Sequence, residues 1–126
     1  MVDEKDIELV HAQLNLYVEK LSHSIQVTAA YLFGSYARGN ATQDSDIDIL
    51  VLSPDFSDDP TNNLMLLMKA RRGIDLRIEP HPIRPKDFNN THPFIKEIMP
   101  DLIPIPLQAS QSHQQKPGFS SQCLMG

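Results

Sequence analysis

Two short apolar segments on either side of a small, polar loop constrain the fold of this chain most strongly. Residues 27–33 are apolar or β-branched and end at Gly34, whereas residues 46–52 start at Asp46 and end just before Pro54. Apolar runs of this length, bounded by glycine or proline, are typical of buried strands. The sequence therefore predicts two core strands, one on each side of the loop.

The other predicted elements follow from periodicity and capping signals. Apolar residues recur at helical spacing over residues 3–22, and acidic side chains occupy the first turn, where the helix dipole favours them. Residues 74–79 alternate between apolar and polar and predict a third strand. The shorter predicted elements are a helical turn over residues 35–38, a helix from Pro60 that ends before Gly73, a short helix after Pro93 and a weak edge strand around Ile103 and Ile105.

Composition bounds the number of domains and the class of partner. The chain has 126 residues, a net charge of −5 and one cysteine, so we expect a single domain without an internal disulfide. Residues 108–126 contain five Gln and four Ser, which predicts a domain over 1–107 and a polar, disordered tail over 108–126. The scattered Lys and Arg residues predict no extended nucleic-acid binding. No apolar run could span a bilayer and no signal core follows the N-terminus, so the expected location is the cytoplasm.

Three carboxylates are candidates for one shared site. Side chains alternate between the faces of a strand, so Asp46 and Asp48 are expected on one face, with Cα atoms about 6–7 Å apart. Asp75 lies in the predicted strand 74–79 and would complete a triad if that strand pairs with residues 46–52.

Plainer interpretations of these carboxylates stay open at this point. An Asp-x-Asp at the start of a strand is often only a pair of solvent-exposed turn residues. Asp75 could instead form a surface ion pair with Arg77 or Arg72. Glu79 could support the metal ligands from behind, although a solvated strand end is the favoured interpretation.

Three carboxylates on one face predict metal-dependent phosphoryl-type transfer. Such transfer depends mostly on positioning and on neutralisation of charge, and two metal ions about 3.5–4 Å apart can clamp the attacking and leaving oxygens. Oxygen ligands of this kind suit Mg²⁺ or Mn²⁺. Gly34 lets the backbone approach a triphosphate closely, and the further predicted nucleotide-binding residues are Ser35, Arg38 and Ser45.

Gly34-Ser35 together with Asp46-x-Asp48 resembles the signature of the DNA polymerase β-like nucleotidyltransferase superfamily. The fuller string GSYARGNATQDSDIDILV resembles the minimal nucleotidyltransferase (MNT) branch, and the resemblance covers residues 27 to about 79. It implies an α+β fold, with a small mixed β-sheet flanked by helices. It also implies ATP held by Gly34 and Ser35, and two Mg²⁺ or Mn²⁺ ions held by Asp46, Asp48 and Asp75.

The resemblance implies a partner as well as a reaction. MNT proteins are often the antitoxins of HEPN–MNT toxin–antitoxin pairs, so the implied activity is transfer of AMP from ATP to a tyrosine of a HEPN ribonuclease toxin. A non-catalytic antitoxin that neutralises its partner by binding is the alternative, and a small-molecule, antibiotic-type nucleotidyltransferase is the third hypothesis. The three candidate carboxylates favour an enzyme, because a binding module has no need of them.

Overall fold

The computed structural model describes residues 4–107, and the predicted tail over 108–126 lies outside the described residues. The helices are α1 (Glu4–Ser22), α2 (Ser35–Arg38), α3 (Pro60–Ala70) and α4 (Pro93–Ile98). The strands are β1 (Ala29–Phe33), β2 (Ile47–Leu52), β3 (Ile78–Ile83) and β4 (Ile103–Pro104). Short 3₁₀ turns at Pro85–Asp87 and Met99–Asp101 flank α4.

The strands form one mixed sheet in the order β3-β2-β1-β4. β1 pairs antiparallel with β2 and with β4, whereas β2 pairs parallel with β3. Parallel neighbours need a crossover connection, and α3 provides it between β2 and β3. The fold is therefore mixed α+β with a small sheet flanked by helices, which confirms the predicted fold class.

The larger core lies between one face of the sheet and helices α1 and α3. Inward-facing residues of β2, such as Ile47 and Ile49, are fully buried there against the apolar stripe of α1. The Tyr17 hydroxyl of α1 donates a 2.7 Å hydrogen bond to the carbonyl of Leu67 in α3, and burial raises the pKa of Tyr17 well above its usual range. This bond ties the two helices together over the sheet.

The second face of the sheet is covered over only part of its area. A smaller apolar cluster joins Phe33 and Leu50 of the sheet to Ile95 of α4. Asp46 and Glu79, at the beginning of β2 and β3, stay exposed. The open part of this face is therefore the end at which the candidate carboxylates were expected.

Most predicted elements are confirmed to within two or three residues, and one is misplaced. The helix predicted over 3–22 is α1, the turn over 35–38 is α2, and the two core strands are β1 and β2. The strand predicted over 74–79 is wrong, because β3 begins at Ile78 and runs through both Pro80 and Pro82. Prolines are tolerated in an edge strand, and β3 is at the edge of the sheet.

Candidate active site

The turn between β1 and α2 brings backbone close to a carboxylate. Gly34 has φ +78° and ψ −154°, a conformation that residues with side chains rarely adopt. A Cβ added at Gly34 would overlap the carboxylate of Asp48. Phe33, the last residue of β1, is the register partner of Asp48 in β2. The sheet itself therefore places the small-residue turn against the second carboxylate of the Asp-x-Asp motif.

Two other carboxylates belong to the same end of the sheet. Asp48 and Glu79 are register partners in the parallel pair β2·β3 and lie on the same face. Asp46 precedes β2 by one residue, and its side chain is exposed. Strand alternation puts Asp46 on the face of Asp48 as well, so this end of the sheet carries Asp46, Asp48 and Glu79.

Asp75, the residue predicted as the third carboxylate, lies outside the strand. It sits in the turn before β3, where it accepts bonds from the guanidinium of Arg77 at 2.8 and 3.1 Å and from the Arg77 backbone N–H at 2.9 Å. The hydrogen bonds from Arg77 hold the pKa of the Asp75 carboxyl below its usual range. The expected pairing of Asp75 with β2 is therefore wrong, and the ion pair with Arg77 is what the structure shows.

The Asp75–Arg77 pair is part of a hydrogen-bond network that includes the loop before Asp46. Arg77 also donates to the Tyr36 hydroxyl at 3.1 Å, and Tyr36 in turn donates to the carbonyl of Thr42 at 3.3 Å. The Arg77 carbonyl accepts from the N–H of Ile47 at 2.9 Å. This network links the turn before β3 to the loop that leads into Asp46.

Two predicted nucleotide-binding side chains have local partners. Arg38 is paired with Asp101 at 3.2 Å, and its side chain is about half exposed. The Ser45 hydroxyl accepts a bond from the backbone N–H of Thr42 at 2.9 Å, which shapes the loop before Asp46. Ser35 opens α2 beside Gly34 and is half-buried.

His81 is a site residue that sequence reasoning missed. Its Nε2 atom lies 3.5 Å from Asp48 Oδ1, and its ring packs against the rings of both Phe33 and Phe94. The sequence shows a histidine between two prolines with no metal-ligand spacing, which gives no signal for this position. Only the parallel register, with His81 opposite Leu50, brings the imidazole to the carboxylate.

The carboxylates of Asp46, Asp48 and Glu79 are suitable ligands for a divalent cation, and a cation could reach them. Carboxylate oxygens are the ligands that Mg²⁺ and Mn²⁺ prefer, and Gly34 leaves the space beside Asp48 free of a side chain. Within residues 4–107, no three acidic or histidine side chains are already gathered closely enough to enclose an ion. Like charges repel one another at such distances, so a cation would have to draw these side chains together.

The hollows beside α3 do not locate the site. One of about 460 Å³ lies between the end of α1 and α3, and its lining includes Lys20 and Lys69 but no carboxylate. The open end of β2 is chosen on its chemistry, because Asp46, Asp48 and Glu79 lie at this end of the sheet and Gly34 leaves the space beside Asp48 free.

The sheet order, the glycine turn and the paired carboxylates together define a nucleotidyltransferase-type domain. The family model described as "Nucleotidyltransferase domain" matches residues 13–104, and the chain belongs to that family. Members of this family generally use a divalent metal ion and a nucleoside triphosphate.

Comparison with solved structures agrees on the fold. The chain is similar to a protein from Sulfolobus solfataricus described as a candidate nucleotidyltransferase, with a TM-score of 0.53 and 19% sequence identity. The match covers 78% of this chain and 77% of that one, and at this identity it shows the fold alone. No curated protein matches the chain significantly. None of the helices within residues 4–107 is long and apolar enough to cross a membrane.

Proposed function

We propose that this chain transfers AMP from ATP to a hydroxyl group of a partner protein. The observation that carries the proposal is the position of Asp48, which lies against Gly34 and opposite Glu79 in the parallel register. Membership of the nucleotidyltransferase family supports the general reaction. The acceptor rests on the resemblance to the MNT branch and on the net charge of −5, which suits a protein acceptor better than a polynucleotide.

Asp46, Asp48 and Glu79 are the residues proposed to hold Mg²⁺. Glu79 takes the place that the sequence assigned to Asp75, because Glu79 is in register with Asp48 while Asp75 is bound to Arg77. The bound ions would neutralise charge on the triphosphate and on the oxygens that attack and leave. Gly34 gives the phosphates access to the backbone of the turn, and Ser35 offers a hydroxyl donor there.

The reaction is a substitution at the α-phosphorus of ATP. The acceptor oxygen forms a bond to this phosphorus, the bond to the bridging oxygen breaks, and pyrophosphate leaves. The acceptor hydroxyl loses its proton, and an exposed carboxylate such as Asp46 or Glu79 is placed to accept it. The proposed acceptor is a tyrosine of a HEPN ribonuclease toxin, and the added AMP would silence that toxin.

Labelled ATP tests the proposal directly. The full chain, Mg²⁺ and a HEPN ribonuclease toxin are incubated with ATP labelled at either the α- or the γ-phosphate. AMP transfer predicts label on the HEPN protein from α-labelled ATP only, with an added adenylate mass on a tyrosine peptide. No protein-bound label from α-labelled ATP would contradict the proposal.

A non-catalytic antitoxin is the second candidate. The observation that favours it is that the described carboxylates are not already gathered around a cation position. Replacing Asp46 and Asp48 together by Ala separates the two functions, since an enzyme then loses protection against the toxin. Full protection by the double variant would favour the binding module.

A further inference from the structure

The imidazole of His81 is oriented toward a single acidic oxygen. Its Nε2 atom is buried and has no hydrogen-bond partner at normal distance among the described residues. Asp48 Oδ1 lies 3.5 Å away, slightly beyond hydrogen-bond length. A buried N–H without an acceptor is costly, so a small movement of either side chain that closes this gap is favourable.

Aromatic neighbours hold the His81 ring in this orientation. The ring centroid of Phe33 is 5.1 Å from that of His81, and the centroid of Phe94 is 5.4 Å away. Phe33 and Phe94 also pack edge to face, with centroids 5.8 Å apart. Contacts of this geometry are favourable for aromatic rings. Residues from β1 and α4 therefore fix the ring, although about a third of the His81 side chain is exposed.

The carboxylate of Asp48 lies between two different neighbours. Oδ1 is the oxygen closest to His81, whereas Oδ2 is the one that a side chain at position 34 would strike. A carboxylate with one oxygen bound to a donor loses most of its freedom to rotate. Its other oxygen then has a fixed direction, which here is toward the Gly34-Ser35 turn.

We propose that His81 is a positioning residue for Asp48. The Nε2–H group donates to Asp48 Oδ1 and so directs Oδ2 toward the turn where the nucleotide phosphates and a divalent cation are proposed to bind. This inference rests on the proposed function, because it assigns His81 a role at that same site. The neutral imidazole with its proton on Nε2 is sufficient for this role.

The proposal predicts an effect on metal affinity that can be measured without turnover. Groups that orient a metal ligand typically contribute 10- to 100-fold to metal affinity. Mn²⁺ alone is titrated into the full chain, and free Mn²⁺ is followed by electron paramagnetic resonance. We expect His81→Leu to weaken Mn²⁺ binding about 10- to 100-fold. His81→Gln, whose amide nitrogen can reach the position of Nε2, should restore most of the affinity.

Two controls separate this inference from the proposed function. His23→Leu removes an exposed histidine after α1 and should leave Mn²⁺ affinity unchanged, and thermal unfolding checks that each variant folds. If Asp48→Asn weakens binding but His81→Leu does not, His81 has no positioning role and the proposed metal site stands. Failure of Gln to rescue also overturns the positioning role. If neither the wild-type chain binds Mn²⁺ nor Asp48→Asn changes the titration, the proposed function and this inference both fail.

Discussion

Residues 46–52 and 74–79 are both predicted as strands with acidic side chains on one face, but the two segments fold differently. In the first segment Asp48 lies in β2, as predicted, and faces the Gly34 turn. In the second segment Asp75 is held in a turn, and the strand starts only at Ile78. The predicted strand therefore starts within one residue of β2 in the first segment, whereas four of the six predicted residues precede β3 in the second.

The difference comes from local partners that compete with the strand. Asp75 is satisfied two residues along the chain by Arg77, which closes a turn. Arg71, at the end of α3, donates to the carbonyls of Leu76 and Ile78 and holds the same turn. Among the described residues, the loop before Asp46 forms no such ion pair with a neighbour in sequence. A charged pair at i and i+2 can thus delay a strand that alternation alone would start early.

Of the changes considered for the two segments, removal of the Asp48 carboxylate should reduce the rate of AMP transfer most. Asp48→Asn keeps the shape of the side chain but removes the charge beside Gly34 and His81. We expect AMP transfer from α-labelled ATP to fall by about 100- to 1000-fold, as when one electrostatic contact to the reacting groups is lost. Transfer at the wild-type rate would show that β2 does not carry the reaction.

Gly34→Ala should be the next most damaging change. Gly34 and Gly73 both have a positive φ, +78° and +79°, but the ψ of −154° at Gly34 lies in a region that almost only glycine adopts, so alanine there costs on the order of 1–3 kcal/mol of backbone strain. Only at Gly34 does the new Cβ strike Asp48, whereas nothing lies within 4 Å at Gly73. Activity should therefore be lost in Gly34→Ala and kept in Gly73→Ala, measured by transfer rate and thermal unfolding. Equal activities would mean that the close approach at Gly34 has no functional role.

Asp75→Asn should change stability rather than chemistry. The side chain of Asp75 is only about one tenth exposed. Replacing its carboxylate by a neutral amide removes the charged partner that Arg77 has in this pair. We expect a loss of about 1–3 kcal/mol in the free energy of unfolding, measured by urea denaturation. Tyr36→Phe removes a weaker part of the same network and serves as a milder comparison, with a loss of about 0.5–1.5 kcal/mol.

The same ion pair predicts a dependence of stability on pH. The pKa of Asp75 is lowered in the folded chain from its ordinary value of 3.8, chiefly by the hydrogen bond from Arg77. Its contribution to stability is thus present above that ordinary value and is lost as the pH falls through the lowered one. The difference in unfolding free energy between wild type and Asp75→Asn should stay constant above about pH 5 and shrink as the pH falls from about 5 to about 2. A constant difference over this range would argue against the ion pair.

The sequence predicted the parts of the site that depend on local pattern. Gly34, Asp46 and Asp48 were found from spacing between two apolar runs, because a strand fixes which side chains share a face. Glu79 and His81 could not be assigned in this way, because their positions depend on the register of β3 against β2. That register depends on α3 and on the turn around Asp75. The alternation of apolar and polar residues within one segment does not predict it. Pro80 and Pro82 also argued against a strand at these positions, because proline is tolerated in a strand mainly at the edge of a sheet, and β3 is an edge strand.

Glu79, and not Asp75, is proposed to complete the carboxylate set with Asp46 and Asp48. The most direct test is a Mn²⁺ titration of Glu79→Gln and Asp75→Asn, compared with wild type and corrected for the folded fraction of each. The account predicts a large loss of Mn²⁺ affinity in Glu79→Gln and near wild-type affinity in Asp75→Asn. Loss of affinity in Asp75→Asn, with Glu79→Gln unchanged, would contradict it and restore the assignment made from the sequence.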